Sequence, residues 1–459
     1  MIHRYQKKGL NFVLDVNSGA VHLLDDISYA VSGLLDENMG DTCPQSIIDA
    51  LPDYTADEIR EAYDELYELK KAGQLFAQDD YIDVSRYIPV NAPVKALCLH
   101  VAHDCNLRCK YCFASTGDFG QGRKIMPPEI AKKAIDFVIA RSGVRHNIEV
   151  DFFGGEPLMA WDTVTQTVDY ARSLEEKYNK KFRFTITTNG LLLDEDKRKY
   201  INENMDNCVL SLDGRREVND AFRKTVAGTG SYDTIVPKFK ALVDERDPNL
   251  DYYARGTFTS HNLDFAEDVL SIADAGFDRL SVEPVTADPG CGYDLTEDDL
   301  PKIEAEYDRL TDIMLERKKE GKPFTFFHFM VDLDQGPCVV KRLRGCGAGY
   351  EYVAVTPDGD IYPCHQFVGK DEFKQGSVLD QSFNMDIAQK FAGMNIYSRP
   401  KCQKCWAKFY CSGGCSAANY NMNHDMNDSY DLGCEMERKR LECAIYLKAM
   451  DKICANQSK

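Results

Sequence analysis

Nowhere does this sequence approach the run of ~20 apolar residues that a membrane span requires, and its first residues lack the apolar core of a secretory signal. It also lacks a basic excess: 74 acidic side chains stand against 55 basic ones, a net charge of −19. That balance argues against sequence-independent grip on a phosphate backbone, which demands a basic face, and disfavours anionic membrane surfaces. There is no internal repeat and no low-complexity tract. The expectation is a cytoplasmic globular protein with no nucleic-acid or membrane partner. Its 459 residues suffice for two or three domains, and 44% hydrophobic with 28% charged content is ordinary for such a chain. Cysteine, by contrast, is plentiful. Seventeen thiols in a reducing compartment read as metal ligands or catalytic groups rather than disulfides.

Residues 1–90 differ in character from the rest of the chain. Short strands are expected at 11–15 and 19–24 around the turn-forming Asn17-Ser18-Gly19, then helices at 27–36 and 44–51. Thr55 and Glu58 form a capping box for a third helix, along which Ile59, Ala62, Tyr63, Leu66 and Leu69 recur at helical spacing until Gly73. With a closing strand at Leu75-Phe76-Ala77, this reads as a small winged-helix-like module, and 84–93, containing Pro89 and Pro93, as a linker. From 91 to about 335, strand candidates at 96–101, 147–153, 182–188, 208–212, 252–259 and 279–285 alternate with helical stretches such as 127–142 and 296–320. Six βα units predict an α/β fold with a parallel sheet and outer helices. A full eight-unit barrel needs ~250 residues, so an open (β/α)6 partial barrel fits better. Residues 336–459 form a cysteine-rich region with a hairpin near Thr356–Asp360 and a final helix at about 435–454.

The densest chemistry lies in Cys105-Asn-Leu-Arg-Cys109-Lys-Tyr-Cys112. Three thiolates can hold three irons of a 4Fe–4S cube and leave the fourth without a protein ligand, open to a substrate or cofactor. A zinc site is the alternative, with His103 the nearest fourth ligand. Tyr111 completes a C-x3-C-x-aromatic-C pattern that closely resembles the radical S-adenosylmethionine (SAM) enzymes. In that family the open iron chelates SAM, and one electron cleaves it to methionine and a 5′-deoxyadenosyl radical. The resemblance extends to later strand ends. Gly154-Gly155-Glu156-Pro157 matches the family motif that fixes the methionyl amine, with glycine expected where the chain passes close to the ligand. Thr187-Thr188-Asn189-Gly190, and Ser211-Leu212-Asp213-Gly214, resemble segments that contact ribose and carboxylate. Thr188, Asn189, Ser211 and Asp213 are the contacts implied, with Val285 beside the adenine. Arg223 and Arg255 are the cations available for the carboxylate, although an arginine after an acidic segment, as Arg223 is, is more often a surface ion pair.

The C-terminal cysteines Cys346, Cys364, Cys402, Cys405, Cys411, Cys415 and Cys434 resemble the seven-cysteine SPASM motif, which binds two auxiliary 4Fe–4S clusters. The resemblance implies Cys346, Cys364 and Cys415 for the first, and Cys402, Cys405, Cys411 and Cys434 for the second. Seven ligands leave one iron short; either Cys338 fills the place or the iron is open to a substrate thiol. Cys43, Cys98, Cys208, Cys291, Cys443 and Cys454 read as core or surface thiols.

Three clusters behind a winged-helix-like module resemble the maturases of ribosomally made peptides, most closely the SCIFF-peptide maturases, which form thioethers from cysteine sulfur to carbon. That resemblance implies a cysteine-rich precursor peptide whose leader adds a strand beside 19–24, backed by the helix at 56–72, and a flavodoxin- or ferredoxin-type one-electron donor. The acidic helix 56–72 suits nucleic acid poorly. The alternatives are a sulfatase-type maturase forming formylglycine, and a non-catalytic cluster or zinc protein.

Overall fold

The computed structural model describes residues 1–83, 92–333 and 342–457. Most of the linker expected at 84–93, the boundaries expected near 90 and 335, and Cys338 fall outside the described residues. Two compact units form. One comprises residues 1–83, 329–333, 342–345 and 394–457, and the other 92–328 and 346–393.

In the first unit β1 (Ile2–Lys7), β2 (Leu10–Asp15) and β3 (Val21–Leu24) make an antiparallel sheet in that order. Asp15 Oδ1 accepts hydrogen bonds from the Ser18 amide at 2.9 Å and the Ser18 hydroxyl at 2.8 Å, fixing the turn before β3. Helices α1 (Asp26–Ser32), α2 (Gln45–Ala50) and α3 (Ala56–Lys71) follow. The α3 capping box forms as expected, with Thr55 N donating to Glu58 Oε2 at 2.8 Å and Glu58 N to Thr55 Oγ1 at 3.3 Å. Ile59, Ala62, Tyr63 and Leu66 of α3 pack with Val13 of β2 and Val31 of α1 in one core. Leu75-Phe76-Ala77 is not a strand. The Asp15 carboxylate accepts from Ala77 N and Asn17 Nδ2 donates to Ala77 O, so side chains satisfy the groups a partner strand would use. The unit also holds the C-terminal helix Asp431–Gln457, longer at both ends than expected. A second core joins Val16 to Leu343, Ile396, Cys402 and Phe409, and His3 stacks on Trp406 with ring centroids 3.8 Å apart.

The second unit is the partial barrel. Its strands are β4 (Ala96–His103), β5 (Lys124–Ile125), β6 (Asn147–Gly154), β7 (Lys181–Thr188), β8 (Asn207–Ser211), β9 (Asp251–Phe258), β10 (Arg279–Pro284), β11 (Thr325–Phe326), β12 (Tyr352–Val355) and β13 (Asp360–Tyr362). The sheet runs β11-β10-β9-β8-β7-β6-β4-β12-β13, with β5 against β4. From β11 to β12 every neighbouring pair is parallel. The six expected strands are present to within about a residue or two, because strict alternation specifies them. In β7, Phe182, Phe184 and Ile186 are buried while Lys181, Arg183, Thr185 and Thr187 occupy the other face. The apolar face meets the helices and the second lines the barrel interior. One register row of that interior carries Cys98 of β4, Asp151 of β6 and Thr185 of β7 side by side. The expected hairpin is β12–β13, and β12 lies parallel against β4.

Candidate active site

Beyond His103 the chain leaves β4 and turns into the loop carrying Cys105, Cys109 and Cys112. Cys105 N donates to Asp104 Oδ1 at 2.8 Å, and Arg123 pairs with the same carboxylate. Arg108 N and Lys110 N donate to Lys224 O at 2.7 Å and Phe222 O at 3.1 Å, tying the loop's middle down. Two donors point at Cys105 Sγ: Leu107 N at 3.4 Å and Asn189 Nδ2 at 3.6 Å. The three thiols lie close enough to act on one another's charge. Burial, helped by Glu156, pushes Cys105 up to about 12. Burial pushes Cys109 to about 11 against the pull of Arg223. Such thiols become thiolates only beside strong positive charge, which iron supplies. Among the described residues no group of three or more His, Cys, Asp or Glu side chains converges on one ion, as zinc requires. A cube engages each thiolate at a different iron, so its ligands stand apart. His103 is fully buried, its Nε2 3.1 Å from His100 Nδ1 and its ring against Phe119, and it does not reach toward the thiols as a fourth ligand. The donor set fits an iron–sulfur cluster.

The next strand ends close around this loop. A side chain at Gly154 would place its Cβ 2.2 Å from Ala102 O, and one at Gly155 would lie 2.1 Å from Asp104 O. Their smallness therefore answers to the backbone at and just after the end of β4 rather than to a ligand, a correction to the expectation. Glu156 is buried and accepts from Thr188 Oγ1 at 2.7 Å, Asn189 N at 2.8 Å and Leu158 N at 3.1 Å. Of a carboxylate's roughly four acceptor sites three are filled, so Glu156 ties the end of β6 to the end of β7. Pro157 begins the short 3-10 turn Pro157–Ala160 behind it. Asn189 reaches forward, donating to Asn106 Oδ1 at 2.8 Å as well as to Cys105 Sγ.

Tyr111 is half-buried, its hydroxyl donating to Asp213 Oδ2 at 2.7 Å and accepting from Arg223 Nη1 at 2.9 Å. Asp213 also accepts from Thr257 N at 3.2 Å and lies 3.8 Å from Arg223. Burial pushes the Asp213 carboxyl up and Arg223 opposes the rise. The two arginines thus exchange their expected settings. Arg223 is only 8% exposed and sits under the cysteine loop, whereas Arg255 is a partly exposed partner of Glu283. Ser211 ends β8 on the interior face, and the buried Val285 follows β10, its N donating to Phe258 O at 2.9 Å.

A second thiol group stands in the first unit. Cys402, Cys405, Cys411 and Cys434 line one cavity of about 350 Å³. Burial pushes Cys411 up to about 12 and Cys434 to about 11, with neighbouring acids and thiols adding to the rise. Arg438 Nη1 lies 3.9 Å from Cys405 Sγ and Ser429 Oγ 3.4 Å from Cys402 Sγ. Four thiols around one cavity, with polar donors beside them, again fit a cube. Of the remaining expected ligands, Cys346 and Cys364 belong to the second unit and Cys415 to the first.

Sequence reasoning missed the barrel's inner face. Cys98, read as a core thiol, is 1% exposed but abuts Asp151 and Tyr352 there. The alternation Glu149-Val-Asp151-Phe in β6 carried the signal.

The Radical SAM superfamily model matches residues 99–253, and the SPASM iron–sulfur cluster-binding domain matches 346–406. The cysteine-type anaerobic sulfatase-maturating enzyme of Clostridium novyi is 25% identical over 354 residues, covering 72% of this chain and 90% of that one. Among solved structures, native anSMEcpe with bound AdoMet superposes with a TM-score of 0.64 at 20% identity, covering 78% of this chain and 99% of its own. Streptococcus suis SuiB bound to precursor peptide SuiA gives 0.52 at 16% identity, with 93% and 97% covered. With a three-thiol loop at the mouth of a parallel partial barrel and a cysteine-lined cavity in the other unit, the chain belongs to the radical SAM superfamily and carries a SPASM iron–sulfur domain.

Proposed function

We propose that this protein installs thioether cross-links, from cysteine sulfur to carbon, in a ribosomally made, cysteine-rich precursor peptide. The observation that carries the reading is the N-terminal sheet. β3 is its terminal strand, paired with β2 on one side only, and such an edge accepts a peptide as an added strand. A leader bound there, with α3 behind the sheet, delivers the rest of the peptide to the radical site. Coverage supports this choice: the peptide-bound SuiB fold accounts for 93% of the chain and the anSMEcpe fold for 78%.

In this reading Cys105, Cys109 and Cys112 hold the cluster that cleaves SAM, and Gly154–Pro157, Thr188, Asn189, Ser211, Asp213 and Val285 border the cofactor. Two auxiliary clusters take Cys346, Cys364 and Cys415, and Cys402, Cys405, Cys411 and Cys434. The bound cofactor supplies a 5′-deoxyadenosyl radical, and a flavodoxin- or ferredoxin-type protein supplies the starting electron. The protein's own work is positioning: Glu156 and Asn189 register two strand ends against Cys105, and Tyr111 with Asp213 and Arg223 anchors the loop from beneath.

The test uses a short cysteine-rich peptide encoded beside the gene, incubated anaerobically with reconstituted enzyme, reductant and SAM. Loss of two hydrogens per cross-link, with one 5′-deoxyadenosine formed, is expected. The second reading, formylglycine formation, draws on the likeness to the Clostridium novyi enzyme; an aldehyde trapped by a hydrazine in place of a cross-link would establish it instead.

A further inference from the structure

The proposed oxidation removes two hydrogens from the peptide. One departs as an atom and the other as a proton, which needs an acceptor. The barrel's inner surface offers several carboxylates, most of them committed. Glu156 accepts three hydrogen bonds, and Asp213 is held by Tyr111, Thr257 and Arg223. Glu283 pairs with Arg255, and Asp251 with Arg279 at 2.8 Å. His328 lies between Ser281 Oγ at 3.2 Å and Glu283 at 3.9 Å. Glu149 is exposed near the start of β6, at the end of the barrel away from the cysteine loop.

Asp151 stands apart from these. It lies half-buried on the inner face of β6, between Cys98 on β4 and Thr185 on β7 in the same register row. It is bonded to the Thr185 side chain and has no ion pair among the described residues. Three residues separate it from Gly154, about 10 Å at strand rise, so it sits one layer below the cysteine loop. A substrate residue in that layer faces the radical site on one side and this carboxylate on the other.

We propose that Asp151 is the proton acceptor of the peptide oxidation, its carboxylate taking the proton of the donor thiol as the sulfur–carbon bond forms. The inference rests on the cross-linking reading. The acceptor C–H bond breaks and its hydrogen atom passes to the 5′-deoxyadenosyl radical, giving 5′-deoxyadenosine. The S–H bond breaks and its proton passes to Asp151. The new C–S bond forms, and the one electron left over goes to an oxidised 4Fe–4S cluster. Burial, reinforced by the charge of Glu149 and opposed by the Thr185 bond, raises the Asp151 carboxyl to about 7, near the optimum for a base working at neutral pH. The groups facing the site are Cys98 on β4, Glu149 on the same strand, Thr185 on β7 and Tyr352 on β12.

Asp151→Asn and Asp151→Glu test this in the full-length, cluster-reconstituted protein, with the neighbouring cysteine-rich peptide synthesised from deuterated amino acids. Deuterium should still enter 5′-deoxyadenosine with Asp151→Asn at a rate within a few-fold of wild type, while cross-linking falls about 10²–10⁴-fold. Asp151→Glu should recover part of it. Wild-type cross-linking should rise with pH through about 7, where the carboxylate ionises, and the rise should vanish in Asp151→Asn. Without peptide, infrared difference spectra between about pH 6 and 8 should show a carboxyl C=O band that Asp151→Asn removes. Cross-linking within twofold of wild type in Asp151→Asn overturns the proposal. So does joint loss of deuterium transfer and product, which would mark Asp151 as a positioning residue. A wild-type product with another mass change refutes the cross-linking reading alone; the ratio of Asn to wild type for that oxidation still decides the role of Asp151.

Discussion

The loop at Cys105–Cys112 and the cavity at Cys402–Cys434 hold thiols by opposite means. The first rests on buried polar bonds: Tyr111, Asp213 and Arg223 lie beneath it, and Glu156 fastens the neighbouring strand ends. The second rests on an apolar core in which the ligand Cys402 packs directly with Val16, Leu343, Ile396 and Phe409. Thiol number differs as well, three against four. A three-thiol site leaves one iron for chemistry, while a closed four-thiol site suits electron storage or transfer. Directional hydrogen bonds fix a loop's geometry where a cofactor must meet an iron; non-directional packing suffices where only an electron must pass.

The comparison can be broken most sharply at the ligands. Cys105→Ala should reduce 5′-deoxyadenosine formation to background, read by chromatography after reduction with SAM, while peptide binding stays within a few-fold. Cys434→Ala should do the reverse, lowering iron by about four atoms per chain and abolishing cross-linked product, while 5′-deoxyadenosine still forms. If Cys434→Ala also silenced SAM cleavage, the division of labour would be lost. Arg223→Leu strips the cation from a buried charged network and should cost about 3–5 kcal/mol, measured as a lower denaturation midpoint, with SAM cleavage falling in parallel. An unchanged midpoint would mean that the polar network does not hold the loop. Leu23→Asp alters a side chain on β3 that is 42% exposed. It should weaken precursor binding about tenfold in a fluorescence titration and spare peptide-free SAM cleavage. Arg255→Gln should shift stability by no more than about 1 kcal/mol, because its ion pair with Glu283 is partly solvated.

The barrel strands are legible from sequence because alternation of apolar and polar residues ties each one to a single register. β1 is not. Its sequence, Ile-His-Arg-Tyr-Gln-Lys, has five of its six residues at least partly solvated or polar, and only pairing with β2 makes it a strand. Leu75–Ala77 has the composition of a strand, yet Asp15 and Asn17 occupy its backbone groups, a tertiary fact absent from local pattern. The cysteine spacings announce the metal chemistry, since ligand chemistry is local to the motif. The settings of Arg223 and Arg255 do not follow from sequence, because burial depends on the strand ends brought together around each.

The pairing of β12 with β4 has a consequence for how the chain emerges from the ribosome. β4 is the first barrel strand made, and one of its edges is completed only by residues 352–355. At roughly 5–20 residues per second, translation leaves that edge bare for on the order of ten seconds or more. Throughout that interval the strand leading into the cysteine loop is a template for wrong pairing. β5, a two-residue antiparallel strand at Ala102 and His103, covers only its far end. Nascent chains stalled before residue 352 should therefore be the most aggregation-prone species in the protein's synthesis.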